Sequence, residues 1–124
     1  MDVIHTCIWV SDMDEAREFF LDGIGLEEHR ATELDGVENV WLGGEHGEIQ
    51  LRYESNHPEP NPDRSSIDHL ALSVDDVDAE LERIVDATGA TVLDGPRTVD
   101  VANARIAFIE GVDGYVVELV EDLD

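Results

Sequence analysis

Hydrophobic and polar positions alternate from the start of the chain. Ile4, Ile8 and Val10 fall on one side of a period-two pattern, and His5, Cys7 and Trp9 fall on the other. This alternation predicts a strand with one packed face and one open face. The period then lengthens: Asp12 with Glu15 three positions on makes a capping pair that predicts a helix start. Ala16, Phe19 and Phe20 give that helix an apolar side, and Gly23 and Gly25 end it. Strands follow over roughly 28–34, 37–43 and 47–54, punctuated by Asp35-Gly36 and Gly43-Gly44.

Residues 55–66, SNHPEPNPDRSS, hold three Pro, two Asn and no apolar residue, which predicts a surface loop. Beyond it the pattern restarts. Ile67 to Val74 reads as a strand, and 78–88 as a helix with Leu81, Ile84 and Val85 inward and Gly89 closing it. Further strands are predicted near 90–94, 97–109 (with room for a turn) and 115–121.

The restart is an internal repeat. A shift of 64 residues places His5 on His69, Val10 on Val74, Asp12 on Asp76, Asp14 on Asp78 and Gly25 on Gly89. A shift of 68 places Gln50-Leu51 on Glu118-Leu119. The expected fold is therefore α+β: a β-α-β-β-β unit over 1–54, the loop 55–66, and a second unit over 67–124, together one domain.

Composition narrows the class. The chain has 124 residues, 42% of them hydrophobic, which suits one compact domain and leaves too little for two ordinary ones. Asp and Glu number 31 against seven cations, all Arg, for a formal charge of −24. Nucleic acid and anionic membranes are poor partners for such a field. No apolar run approaches the ~20 residues of a membrane span, and no secretory signal pattern opens the chain. The single Cys7 excludes an internal disulfide framework. A cytoplasmic protein of a salt-rich cell, as in a halophile, is the expectation, since molar salt shortens the Debye length to about 3 Å.

Strand alternation also sorts the polar residues. His5 lies with Cys7 and Trp9, and His69 with Ala71 and Ser73. Gln50 lies with Glu48 and Arg52, and Glu118 with Val116 and Val120. The opposite faces are aliphatic and suited to packing under helices. The open faces thus present His, Gln, His and Glu at matching positions of two repeats. Two imidazoles, one carboxylate and one amide oxygen suit a divalent Zn, Ni, Mn, Co or Fe(II) ion. Four ligands from separate strands leave coordination positions open, as catalytic metal sites do.

The segments IHTCIWVSDMDEAREFFLDGIGL, EIQL, IDHLALSVDDVDAELERI and IEGVDGYVVELVE resemble the vicinal oxygen chelate superfamily, and within it glyoxalase I. The resemblance covers nearly the whole chain. It implies paired βαβββ modules around a U-shaped metal cavity, commonly completed in a homodimer, with metal ligands at His5, Gln50, His69 and Glu118. It also implies isomerisation of a hemithioacetal, formed from a 2-oxoaldehyde and a low-molecular-weight thiol, to a 2-hydroxyacyl thioester. The metal would stabilise the enediolate charge, and Glu118 would be the base that moves the carbon-bound proton. Gln50 cannot share that role, because an amide has no useful basicity near neutral pH.

Trp9, Arg52 and Cys7 are expected in the substrate pocket. Trp9 and Glu54 stand where glyoxalase I of the bacterial type has Arg and Asn that hold glutathione, so another thiol such as γ-glutamylcysteine is favoured. Arg52, Arg97 or Arg105 would have to offset the charge of Glu54. The alternative is an Fe(II) extradiol dioxygenase, with His5, His69 and Glu118 as ligands and His57 as an acid-base group. An epimerase of the same superfamily uses a similar ligand set. Antibiotic-sequestering relatives typically lack the ligands. Trp41 is expected in core or interface, and His29 and His46 in turns or on the surface.

Overall fold

The computed structural model describes residues 5–60, 67 and 69–124. Ile4 of the first predicted strand, residues 61–66 of the loop and Asp68 lie outside the described residues. The chain divides into two units, Met1–Pro60 and Asn61–Asp124.

In the first unit, β1 (His5–Trp9) leads into α1 (Met13–Arg17), followed by β2 (Glu27–Leu34), β3 (Val37–Gly43) and β4 (Glu48–Glu54). Asp12 caps α1 as the sequence predicts, its carboxylate accepting from the Glu15 N–H at 3.0 Å. The helix then widens into a π-helical stretch, Glu18–Ile24, whose last carbonyls are closed by Gly25 at φ 98°. The Gly25 and Leu26 N–H groups both donate to the Phe20 carbonyl, at 3.1 and 2.9 Å. Only a residue free of Cβ strain takes that left-handed turn at no cost. The sheet order is β1-β4-β3-β2, with β1 parallel to β4 and the other pairs antiparallel.

The second unit repeats this plan. Strand β5 (Leu70–Ser73) precedes α2 (Val77–Thr88), then β6 (Thr91–Val99), β7 (Ala104–Glu110) and β8 (Val116–Asp122), in sheet order β5-β8-β7-β6. Asp76 caps α2 through the Ala79 N–H, and Gly89 closes it at φ 72°. Among the described residues, no helix is long and apolar enough to cross a membrane.

Two boundaries differ from the sequence reading. The separate segments 90–94 and 97–109 are instead one strand, Thr91–Val99, and a second, Ala104–Glu110, split by a 3-10 turn at Asp100–Ala102. Gly95-Pro96 does not break β6, because β6 is an edge strand and its register shifts between Val92, Asp94 and Arg97 absorb the missing proline N–H. The strand predicted over Ile67–Val74 is shorter, and His69 stands just before β5.

Each unit has its own apolar core. Ile8, Val10, Met13, Ala16, Phe20, Val40, Leu42, Ile49 and Leu51 are buried in the first. Val77, Leu81, Ile84, Ile106, Ile109, Val117 and Leu119 are buried in the second. These are the faces of β1, β4 and β8 that alternation assigned to the helices. His5 and Cys7 of β1, and Ala71 and Ser73 of β5, are exposed on the opposite faces.

Candidate metal centre

Strand register sets the geometry of each half-site. In the first unit, Cys7 is the register partner of Gln50, so His5 lies two residues before that position on the neighbouring parallel strand. In the second, Ala71 is the register partner of Glu118, and His69 again lies two residues before it. The repeat seen as a shift in sequence is thus also a repeat in hydrogen-bonded register. Residues two apart on a strand share a face, so His5 projects on the side of Gln50, whereas His69, just before β5, is placed by its contact with Glu118.

The second unit brings its pair into contact. His69 Nε2 lies 3.2 Å from Glu118 Oε1, and the two side chains are 34% and 15% exposed. Phe108, the antiparallel partner of Glu118, meets the His69 ring edge-to-face with centroids 5.6 Å apart. Arg97, hydrogen-bonded to Asp94, also feels the Glu118 charge, and both interactions hold its pKa above the ordinary arginine range.

In the first unit, Gln50 is buried and donates from Nε2 to Asn39 Oδ1 at 2.8 Å. Arg52 Nε donates to the same oxygen at 2.9 Å. Arg52 also lies over the Trp9 ring, 5.6 Å from its centroid. Cys7 is exposed, yet partial desolvation raises its thiol pKa, with the Arg52 charge pulling the other way.

His57 stands elsewhere than the surface loop of the sequence reading suggests. His57 is stacked on Trp9, with centroids 3.6 Å apart and planes 11° from parallel, and its Nδ1 lies 2.8 Å from the Pro58 carbonyl. The turn after β4, closed by the His57 N–H on the Glu54 carbonyl, carries the ring back over β1. Trp41 is half-buried beside Gln50 as its register partner, with Arg30 4.0 Å above its ring, and so belongs to the open face of the sheet. Its indole Nε1 is buried with no hydrogen-bond partner. His29 is exposed, as expected, on strand β2, its Nδ1 2.7 Å from Glu48 Oε2, at the bulge between Glu28 and Arg30. His46 is exposed, as expected. Arg105 and Arg97 are both engaged by carboxylates, Asp78 and Asp94, whereas Arg52 is bonded to a neutral amide.

Asp76, Asp78 and Glu121 also bring carboxylate oxygens together. Their groups already serve the start of α2. Asp76 accepts from Ala79 N–H, Glu121 from Val77 N–H at 2.9 Å, and Asp78 from Arg105. Negative charge at a helix N-terminus is stabilising in itself.

Residues 3–119 match the family model of the glyoxalase/bleomycin resistance protein/dioxygenase superfamily. The chain is 30% identical over 127 residues to the lactoylglutathione lyase of Haemophilus influenzae, covering 98% of this chain and 93% of that enzyme. It is 29% identical to the probable lactoylglutathione lyase of Synechocystis, over 98% of this chain and 95% of that protein. Among solved structures, SMU.1112c matches with a TM-score of 0.82 at 27% identity, over 98% of both chains. Glyoxalase I of Zea mays matches with a TM-score of 0.85 at 24% identity, over 98% of this chain and 44% of that one, a likeness of fold. Together with the paired βαβββ units, these matches place the chain in the glyoxalase/bleomycin resistance protein/dioxygenase superfamily.

Proposed function

We propose that the protein is a metal-dependent glyoxalase I-type lyase, which converts the hemithioacetal of a 2-oxoaldehyde and a low-molecular-weight thiol into a 2-hydroxyacyl thioester. The observation that carries this reading is the equivalence of the two half-sites. In both units a histidine stands two residues before the register partner of a Gln or Glu, and His69 Nε2 and Glu118 Oε1 are already 3.2 Å apart. Relatives named lactoylglutathione lyase that align over nearly the whole chain support the same chemistry.

The donor set fits a divalent first-row ion. His5, Gln50, His69 and Glu118 would hold it through two imidazole nitrogens, an amide oxygen and a carboxylate oxygen. Residues 1–124 act as one domain in this reading, in a protein expected to form a homodimer. The bound ion, Ni, Zn, Mn, Co or Fe(II), would supply Lewis-acid polarisation of the two neighbouring oxygens of the adduct.

Glu118 does the proton chemistry. Its carboxylate takes the proton from the carbon that bears sulfur and returns it to the adjacent carbon, while the hydroxyl proton moves between the two oxygens. The product is an isomer of the adduct, and no oxidant is consumed. Glu118 is largely withdrawn from solvent, and its contact with His69 restricts its orientation. Gln50 binds without taking a proton. Trp9, with His57 stacked on it, would offer a substrate an aromatic wall, and Cys7 and Arg52 lie on the same face. Arg52, hydrogen-bonded to a neutral amide rather than to a carboxylate, is suited to meet a thiol co-substrate's carboxylate. The protein is expected to work in the cytoplasm.

The test is reconstitution. Metal-free protein in molar KCl is loaded with Ni, Mn, Zn or Fe(II), then assayed on methylglyoxal with glutathione or γ-glutamylcysteine, and on catechols with oxygen. Thioester formation is expected. Catechol cleavage with Fe(II) and no thioester product with any metal would overturn the reading in favour of an extradiol dioxygenase.

A further inference from the structure

We propose that Asn39 is a positioning residue that sets the polarity of the Gln50 amide, so that Gln50 presents its oxygen rather than its nitrogen as a ligand. The proposal rests on the reading of Gln50 as a metal ligand. An amide side chain is nearly symmetric in shape, and only one of its two ends can bind a cation. Left alone, Gln50 would divide its time between a competent and an incompetent orientation.

The hydrogen bonds remove that freedom in two steps. Arg52 is a donor only, so the Asn39 atom facing its Nε at 2.9 Å has to be the oxygen. Asn39 Oδ1 is thereby fixed as an acceptor, and the Gln50 atom facing it at 2.8 Å has to be the NH2 group. Gln50 Oε1 is then the end left to bind a cation. Asn39 and Gln50, 9% and 7% exposed, are the buried polar side chains among the described residues. At that depth the amides cannot turn without breaking bonds that water does not replace.

The second unit supplies the comparison. Asn39 pairs with Arg52 two residues from the Trp41–Gln50 pair, and the corresponding pair beside Phe108–Glu118 is Ile106 with Val120. The half-site with a carboxylate has two apolar residues where the half-site with an amide has a donor-only cation and a second amide. A carboxylate has equivalent oxygens and needs no orienting partner. An amide does.

The experiment compares Asn39→Leu, which removes the acceptor, with Asn39→Asp, which keeps it. One readout needs no metal: exchange of the Gln50 side-chain amide protons in the metal-free protein, by NMR, with the resonances assigned by their loss in Gln50→Met. Slow exchange is expected in the native chain and in Asn39→Asp, and fast exchange in Asn39→Leu. The second readout is Zn(II) affinity by competition with a chelator. Asn39→Leu is expected to weaken it about tenfold, the lower end for partners that orient a ligand, with Asn39→Asp restoring it to native or tighter. Slow exchange in Asn39→Leu, or native affinity there while Gln50→Met binds weakly, would overturn the proposal. Native affinity in Gln50→Met itself would instead overturn the assignment of Gln50 as a ligand. Should Asn39→Leu fail to fold, Arg52→Met decides. Removing a cation should tighten metal binding by electrostatics alone, whereas loss of the polarity lock weakens it, so unchanged or tighter binding in Arg52→Met refutes the lock.

Discussion

Leu119→Ala tests the register that places Glu118 on the open face of β8. Leu119 is fully buried, at 0% exposure, and its antiparallel partner is Ala107, also fully buried. Its parallel partner is Leu72 of β5. A small residue already stands opposite, so little side chain is available to collapse into the space left by truncation. The cost is therefore expected near 3 kcal/mol, within the range of buried Leu-to-Ala changes. That is roughly a hundredfold in the folding equilibrium, and about 12–24 °C in midpoint for a unit of this size. Val120→Ala, on the half-buried face, removes two methyl groups only partly withdrawn from water and should cost about 0.8 kcal/mol. The assay is denaturant unfolding in molar KCl, with the midpoint shifted and the slope unchanged. A one-residue slip would exchange the two faces of the strand and carry Glu118 into the core. Equal costs for the two substitutions, or a larger cost for Val120→Ala, would therefore refute the placement of Glu118 along with that of Leu119.

Three further outcomes are expected. Glu118→Gln should lower lyase turnover by about 10²–10⁴ while metal content falls much less, whereas His69→Ala should lose the metal; full occupancy in His69→Ala, by elemental analysis, would remove His69 from the site. Arg105 holds the Asp78 carboxyl below its ordinary pKa, chiefly by hydrogen bonding. The folded state therefore takes up that proton less readily than the unfolded chain, and the pair stabilises above about pH 4 and fades as pH falls below it. The stability deficit of Arg105→Gln, measured against the native chain, should accordingly shrink between neutral pH and pH 2; a constant deficit would mean the pair is not ionic. Finally, a charge of −24 should make the thermal midpoint climb with KCl toward molar concentrations, as repulsion is screened, and a flat or falling midpoint would contradict the salt-adapted reading.

The strands and helices were largely legible because their signals are local. Alternation placed Ile8 and Val10 inward and His5 and Cys7 outward; Asp12, Asp76, Gly25 and Gly89 marked helix ends through bonds to residues close in sequence. The repeat carried the topology, since two copies of one pattern fold by the same rules. What local pattern could not supply was the pairing of side chains distant along the chain. The bond from Gln50 to Asn39 crosses from β4 to β3, and its partner is set by register rather than by spacing. In the sequence Asn39 has the pattern of an ordinary strand residue. The same holds for His29, which meets Glu48 through a bulge in β2, and for His57, which its Pro-rich setting marked as solvated loop before a turn laid it on Trp9. The two units and the face on which each chemical group stands follow from local pattern, because side-chain direction along a strand has a fixed period of two. Which of those groups meet is a matter of three-dimensional packing, because hydrogen bonds between strands depend on register and on turns that bring remote residues within 3 Å.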